Sequence, residues 1–545
     1  MKKGFTLIEL LAVIVILAII ALIASPIIIG LIDDARKESF KDSAYGIVNS
    51  GELLYSQDLL SGVIEEVTFT YIDGVESSSI GGKKLNYNGS KPKIGQVKVN
   101  NRGQVAIAIH NGNYCAEKGY NDSEVILSEK IEEECVLSIP SVPELTTGMI
   151  PVKWDGTNWV KADTDDKWYD YNDKTWANAV TVTSTNRSTY QGAAAGTVIP
   201  MSDINTMWVW IPRYKYAIPA GTGARSINIV FESKTTVKST GNAVGTNYKT
   251  HPAFTLGSAE VNGMWVGKFE TTGTIASPTI LPNVTSLRSQ TIKAMYDSSR
   301  AMQNNVTYGF NTDGNIHMAK DNEWGAVAYL SHSKYGINNE IYKNNSSNYI
   351  TGRSGGNAGG SQVQVGSNEY ISTGFYTYDG KCATTTTLAP GIANECTAVD
   401  NQLNDKTLAY NASTTGNIYG IYDMSGGAWE YTMSMYRPTD ATSVTDSSGF
   451  GAATTIGTLP VSEYWNRYTT LTASTACSGG ICYGSALSET SGWHSDDFNF
   501  MIVSYPWSVR GGHYSDPSET GIFSYSYSIG SASGNSSFRL VQLKS

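Results

Sequence analysis

The chain has 545 residues, with 39 Lys and Arg against 49 Asp and Glu and a formal net charge of -10 at pH 7. That length exceeds what one hydrophobic core organises and sets a prior of three or four domains; the negative balance, without a clustered Lys/Arg patch, argues against nucleic acid as a partner. Charged residues are 16% of the chain while 54 Gly and 33 Tyr are abundant, a composition that fits a β-rich extracellular protein better than a cytosolic enzyme.

Met1-Lys2-Lys3 precede Gly4-Phe5-Thr6-Leu7-Ile8-Glu9-Leu10, and from Leu10 to Ile32 only Ser25, Pro26 and Gly30 interrupt the aliphatic side chains. The run matches the roughly 20 apolar residues that a membrane-crossing helix needs. It passes through Pro26 into a polar helix without the small-residue exit of a secretory signal, so it reads as retained. Glu9, near its start, costs on the order of 3 kcal/mol in a bilayer unless paired and is therefore read as functional. At these residues the chain resembles type IV pilins, whose leader is cut between a Gly and a Phe like Gly4 and Phe5. The resemblance implies removal of residues 1–4 by a prepilin peptidase, methylation of the Phe5 amine, and a Glu9 that pairs with the amine of a neighbouring pilin subunit as helices bundle. It implies a single pass through the cell membrane before assembly and a place on the cell surface in a pilus afterwards. The leader and pilin core have a Gram-positive look.

Asp33-Asp34-Ala35-Arg36-Lys37-Glu38 mark the water boundary, and Phe40, Ala44, Ile47 and Val48 then recur at helical spacing, which predicts one helix to about Leu60. Alternation at Val67, Phe69 and Tyr71, at Val97 and Val99, and at Val105, Ile107 and Ile109 predicts strands, with Asn100-Asn101-Arg102-Gly103 as a turn. A long helix, a small antiparallel sheet and a cysteine-bounded end are the pilin arrangement, so the resemblance extends over residues 5–137. The six cysteines fall into neighbouring pairs, Cys115 with Cys135, Cys382 with Cys396 and Cys477 with Cys482. In an exported chain adjacent disulfides are the simplest of fifteen connectivities. No metal is expected: no pair has CxxC spacing, and the histidines at 110, 251, 317, 332, 494 and 513 form no HExxH or HxH pattern. Acidic and Asn-rich loops are compatible with Ca²⁺, but no EF-hand pattern is present, and no cofactor is implied.

Residues 138–149, with Pro140 and Pro143, read as a semi-extended connector. In 150–198, Trp154 to Trp159 and Trp168 to Trp176 predict two aromatic hairpins in a small β module, whose Trp residues form a mini-core more readily than a sugar groove. From 199 to 545, strands at Met207–Pro212 and Met264–Thr272, a helix at Asn322–Leu330 and many Gly- and Asn-rich loops predict an α+β domain rich in loops.

Three ordered stretches, Asn417 to Tyr431, Val509-Arg510-Gly511-Gly512 and Ser537-Phe538-Arg539-Leu540-Val541, resemble the formylglycine-generating-enzyme family, a variant of the C-type-lectin fold; Trp265 to Thr272 looks like its early strand. That family's chemistry needs a thiolate pair between the last two motifs to hold copper, and no cysteine lies between Arg510 and Arg539. The chain is therefore expected not to be an enzyme, and Asp423 and Glu430 to fix loops rather than to act as a catalytic pair. In place of the cysteines stand His513, Tyr514, Ser515 and Asp516, then Ser524, Tyr525, Ser526, Tyr527 and Ser528, then Ser531, Ser533, Asn535 and Ser536. Tyr with Ser and Asn is the composition of adaptable binding surfaces, although an alternating half-buried strand explains 524–528 equally well. The tail also resembles that of diversity-generating-retroelement variable proteins, in which adenines are mutated; His, Tyr, Ser and Asp each lie one base from an AAC or AAT codon. The whole reads as a minor, tip-displayed pilin that serves as an adhesin or receptor for a protein or carbohydrate ligand on a cell, phage or host. A surface-anchored modifying enzyme and a purely structural pilin or pseudopilin are the rival readings.

Overall fold

The computed structural model describes residues 7–62, 65–120, 122–354, 409–439, 446–451, 459–470, 482–515 and 520–544, with short strands between 357 and 383. Gly4, Phe5, Cys396, Cys477 and Asp516 lie outside the described residues, as do the side chains of Glu9 and Cys382. The chain divides into two compact units, Met1–Ile139 and Pro140–Ser545.

In the first unit α1 runs unbroken over Leu7–Ser61. Leu10, Leu11, Ile14, Leu17, Leu22 and Leu31 on its first half are exposed in the single chain. Among the described residues no helix is long and apolar enough to cross a membrane; the apolar run includes residues 20, 21 and 23–27, whose side chains are not described. The second half buries Phe40, Ala44, Ile47 and Val48 at the predicted spacing, each large side chain contributing about 1.5–3 kcal/mol. Gly51 lets the helix close on the sheet, since a Cβ there would meet Val105 Cγ2 at 2.8 Å.

The sheet under α1 has the order β2-β1-β3-β4-β5-β6, from β1 Val67–Ile72, β2 Val75–Ser78, β3 Ile94–Val99, β4 Val105–His110, β5 Cys115–Lys118 and β6 Ile126–Ser128. All its pairings are antiparallel. The predicted β3–β4 turn closes through Asn100, whose Oδ1 accepts from the backbone N–H of Arg102 and of Gln104, as Asx turns do. Cys115 is bonded to Cys135 with Cα atoms 5.6 Å apart.

The second unit is built on a seven-stranded sheet that β7 Ile150–Trp154, β8 Trp159–Lys161, β9 Asn178–Val182 and β10 Ile204–Pro212 share with Gly263–Gly267, Leu540–Lys544 and Gly314–Met318, in the order β8-β7-β9-β10 and then these three. Residues 150–198 are thus not a module of their own. Every residue of β9 is buried, and a strand covered on both faces needs the larger core; Trp159 and Trp176 join Trp208, Trp210 and Trp265 in it. Trp154 and Trp159 face each other across a hairpin as predicted, but 168–176 holds only the bridge Asp170–Thr175. Nor do residues 141–146 act as a free connector: Ser141 Oγ bonds to the Asn262 carbonyl, Trp265 Nε1 donates to Glu144 O at 2.9 Å, and Gln542 Nε2 donates to Thr146 Oγ1 at 2.6 Å.

The predicted strand 264–272 ends at Gly267 because the next side chain turns inward. Lys268 Nζ donates to Asn178 Oδ1, Ile418 O and Gly420 O at 2.9, 2.6 and 2.9 Å and lies over the rings of Trp159 and Tyr422. Burial pushes its pKa down; three carbonyl acceptors and two π faces favour the ammonium, because a neutral amine would leave one acceptor without a donor. The helix Asp321–Ser331, buried at every position, packs against Trp429–Tyr436 of a second sheet. That strand pairs antiparallel with Trp507–Arg510, which in turn pairs with Tyr525–Ser528, and it is parallel to Asn466–Tyr468 and Ser536–Phe538. The molecule is thus a long N-terminal helix on an antiparallel sheet, followed by a loop-rich, mostly β unit. Cys482 is buried and disulfide-bonded, its partner lying outside the described residues.

Candidate ligand-binding site

The tail enters the site through Arg510, whose guanidinium is fully buried between the rings of Trp324 and Tyr525 and donates to Ser485 O and Ala486 O. Beyond it the Tyr514 N–H donates to Gly427 O at 2.9 Å. Gly427 is required there: its φ is +73°, and a Cβ would sit 2.4 Å from Glu270 Oε1.

On this floor the tail meets a residue the sequence did not single out. Tyr349 Oη accepts from His513 Nε2 at 2.7 Å and donates to Asn535 Oδ1 at 2.7 Å. That assignment leaves His513 Nδ1 as an acceptor for Ser515 Oγ at 2.8 Å. The Tyr514 ring stands edge-on to Tyr349 at 4.9 Å and lies 4.4 Å from the His513 ring. Arg288 covers the Tyr349 ring with Cζ 3.6 Å from its centre, and its Nη1 bonds to Gly534 O. The Ser289 N–H donates to Ser533 O. His513, Tyr514, Ser515, Ser533 and Asn535 are thereby brought into one patch. Tyr349 is held at φ +54°, the left-handed region that costs a bulky residue roughly 1–3 kcal/mol and is kept where surrounding contacts enforce it.

Beneath the patch lies a buried acidic network. Glu430 is paired with the Arg539 guanidinium, Nε to Oε2 at 3.0 Å, and Asp423 accepts from Asn344 Nδ2 at 2.8 Å and from the Gly352 N–H. Glu270 accepts from the Ala428 N–H at 2.9 Å. Burial pushes the Glu270 carboxyl well above the usual range, and the charges of Asp423 and Glu430 add to it. Burial also raises Glu430, to about 7, against the pull of Arg539. Asp423 and Glu430 thus anchor loops through hydrogen bonds and an ion pair, and Glu270 packs as a prop under Gly427.

The second predicted stretch divides. Residues two apart on a strand share a face, yet Tyr525, cross-strand from Arg510, is fully buried against Phe500 and Arg510, while Tyr527, cross-strand from Ser508, is 37% exposed and packs on Tyr505 at 5.3 Å. Ser524 and Ser536 are buried as well. These three, Ser524, Tyr525 and Ser536, are removed from the binding set, because strand pairing and the core claim them. Ser526 lies in the ladder opposite Val509. Ser528 Oγ and Ser531 O both bond to the Tyr431 hydroxyl, at 2.8 and 2.9 Å. Tyr527 belongs to a separate patch with exposed Ile502, Val503 and Tyr505. Sequence reading missed Arg288 and Tyr349, which stand far upstream in ordinary loop sequence and carry no local signal.

Among the described residues no group of three His, Cys, Asp or Glu side chains is placed to hold a metal ion. No curated protein matches the chain. Residues 1–25 match the prokaryotic N-terminal methylation motif, so the chain carries a type IV pilin-like or pseudopilin-like N-terminus, that of an exported, membrane-associated protein whose partners are a prepilin peptidase and other pilins.

Proposed function

We propose that the protein is a minor type IV pilin displayed at a filament tip, and that its second unit is a non-enzymatic receptor domain related to the formylglycine-generating enzymes and the C-type-lectin fold. The leader would be cut between Gly4 and Phe5, Glu9 would neutralise a neighbouring Phe5 amine, and the C-terminal patch would bind a ligand on a cell, phage or host without metal or cofactor. The observation that carries this reading is the convergence of His513, Tyr514, Ser515 and Asn535 on Tyr349: side chains from the stretch between the Arg510 and Arg539 motifs gather on one preorganised aromatic wall. Tyr supplies wide contact at small entropic cost, with Ser and Asn as adaptable hydrogen-bonding groups. Diversification of the tail by a retroelement is consistent with this placement, since the patch residues sit on loops while the ladder residues around them hold the fold.

The test is adherence of filament-bearing cells to a panel of glycan- and protein-coated surfaces. Tyr514→Ala combined with Asn535→Ala should lower adherence at least about tenfold with filament number unchanged. Undiminished adherence would place the site elsewhere, and a filament in which this chain is the principal subunit would favour a structural pilin.

A further inference from the structure

Arg288 stands out in the patch because no carboxylate among the described residues pairs with its charge. Its guanidinium lies 3.6 Å over Tyr349, one terminal nitrogen bonds to the Gly534 carbonyl, and its Nε–H finds no acceptor. Among the described residues it makes no ion pair, in a chain whose net charge is -10. Arginine stays cationic at any physiological pH, and its planar fork matches a carboxylate. It is also set in place from both sides: Tyr349 is pinned by His513 and Asn535, and Ser289 by Ser533.

We infer that Arg288 is the fixed anchor of the site and takes the carboxylate of an acidic saccharide. This rests on the binding role proposed for the patch. The saccharide follows from what surrounds the guanidinium. Tyr514 offers a half-buried ring, Ser515 and Asn535 are exposed hydrogen-bonding groups, and no large aliphatic side chain is exposed among the described patch residues. Peptide partners are gripped by buried apolar anchors, and the exposed apolar residues of this end, Ile502 and Val503, lie with Tyr505 and Tyr527 in the other patch. A sugar ring instead needs an aromatic face and polar groups at its rim. Arg288 and Tyr349 lie well upstream of the tail, so changes at Tyr514 or Ser515 would alter which sugar is read while the carboxylate anchor persists.

The experiment uses the full chain in detergent on an array of galacturonic, glucuronic and N-acetylneuraminic acid oligosaccharides, each printed beside its carboxyl methyl ester, with poly-glutamate as a non-sugar acid. The expected result is capture of one or more free acids with about tenfold to a hundredfold preference over the ester, lost in Arg288→Gln and in Tyr514→Ala. Arg288→Lys should restore only part of it, because an ammonium cannot form the paired contact. Equal capture of acid and ester, abolished by Tyr514→Ala, would overturn the anchor role while leaving the site in place. Capture unaffected by Tyr514→Ala would overturn the site itself. Capture of poly-glutamate as strong as that of the sugars, or no capture of any acid, would overturn the saccharide assignment. Unchanged near-UV circular dichroism of Arg288→Gln shows that the variant is folded.

Discussion

The hydroxyl of Tyr349 and Nε2 of His513 lie 2.7 Å apart although 164 positions separate them in the chain. Together with Asn535 Oδ1 this bond uses both the donor and the acceptor capacity of the phenol. Tyr349→Phe keeps the ring under Arg288 but leaves the buried His513 Nε2–H without its acceptor, which costs about 1–3 kcal/mol, while the exposed Asn535 can turn to water. The expected outcome is a melting temperature lowered by a few degrees and weakened ligand capture. Thermal melts monitored by Trp fluorescence check this: an unchanged melting temperature would show that the bond does not hold the ring.

Arg539 and Glu430 supply a second test, beneath the patch. Both side chains are about 1% exposed, and removing one partner of such a pair leaves a charge without compensation, at about 3–5 kcal/mol. Arg539→Met is therefore expected to destabilise the second unit strongly, while the double variant Arg539→Met with Glu430→Gln should recover part of the loss. All 12 Trp residues lie at or beyond Trp154, so denaturation followed by Trp fluorescence reports the second unit alone. If the double variant were no better than the single one, the cost would come from packing rather than from the unpaired carboxylate.

The regular parts of the fold were legible wherever a periodic pattern met a single buried face. Phe40, Ala44, Ile47 and Val48 marked the buried stripe of α1, and the alternations from Val67 to Ile109 marked strands of the first sheet, because each element covers one core. The pattern gave no boundary for residues 150–198: a strand buried on both faces, such as Asn178–Val182, looks the same in a small module as in the middle of a seven-stranded sheet. The strand predicted to Thr272 stopped at Gly267 because Lys268 finds its oxygens in the core, a contact made at Asn178, Ile418 and Gly420 that no local pattern encodes. Of the candidate site, the tail's composition named His513, Tyr514, Ser515 and Asn535, which the fold gathers around Tyr349. It could not separate Tyr527 from Tyr525, which share one strand face and differ in what the fold lays over them: Phe500 and Arg510 cover Tyr525, while Tyr527 packs on Tyr505. Arg288 and Tyr349 were hidden for the same reason: their role comes from tertiary contact alone.

Cys115–Cys135 fastens the end of the first unit's sheet over a sequence separation of 20. Closing a loop of that size is worth about 3 kcal/mol through the unfolded chain. Cys115→Ser with Cys135→Ser should leave the Trp-monitored transition of the second unit unchanged while making residues 111–139 susceptible to limited proteolysis. Equal protection in the variant and the parent would mean that the sheet, rather than the disulfide, secures this segment.

Two sets of buried groups oppose each other in pH. His251 and His332 are pushed by burial to about 3 and about 4, so they remain neutral in the folded unit while the unfolded chain takes up their protons below about pH 6.5. Stability therefore falls as pH drops through that range towards 4. Asp496 is driven by burial in the other direction, from 3.8 to about 7, as its carboxylate accepts from the Phe523 N–H at 2.9 Å in a site with little water. A raised carboxyl stabilises fully below its unfolded value, and that contribution is lost as pH rises through about 7. The Asp496 contribution is thus expected to fall by on the order of a few kcal/mol between about pH 4 and pH 7, against the gain from the two histidines over the same range. Asp496→Asn retains an oxygen for the Phe523 N–H and removes the ionisation, so it should raise the Trp-monitored melting temperature most at about pH 8, less at about pH 5, and not at all below about pH 4. If the variant and the parent gave parallel curves across that range, Asp496 would not be the group whose proton couples folding to pH.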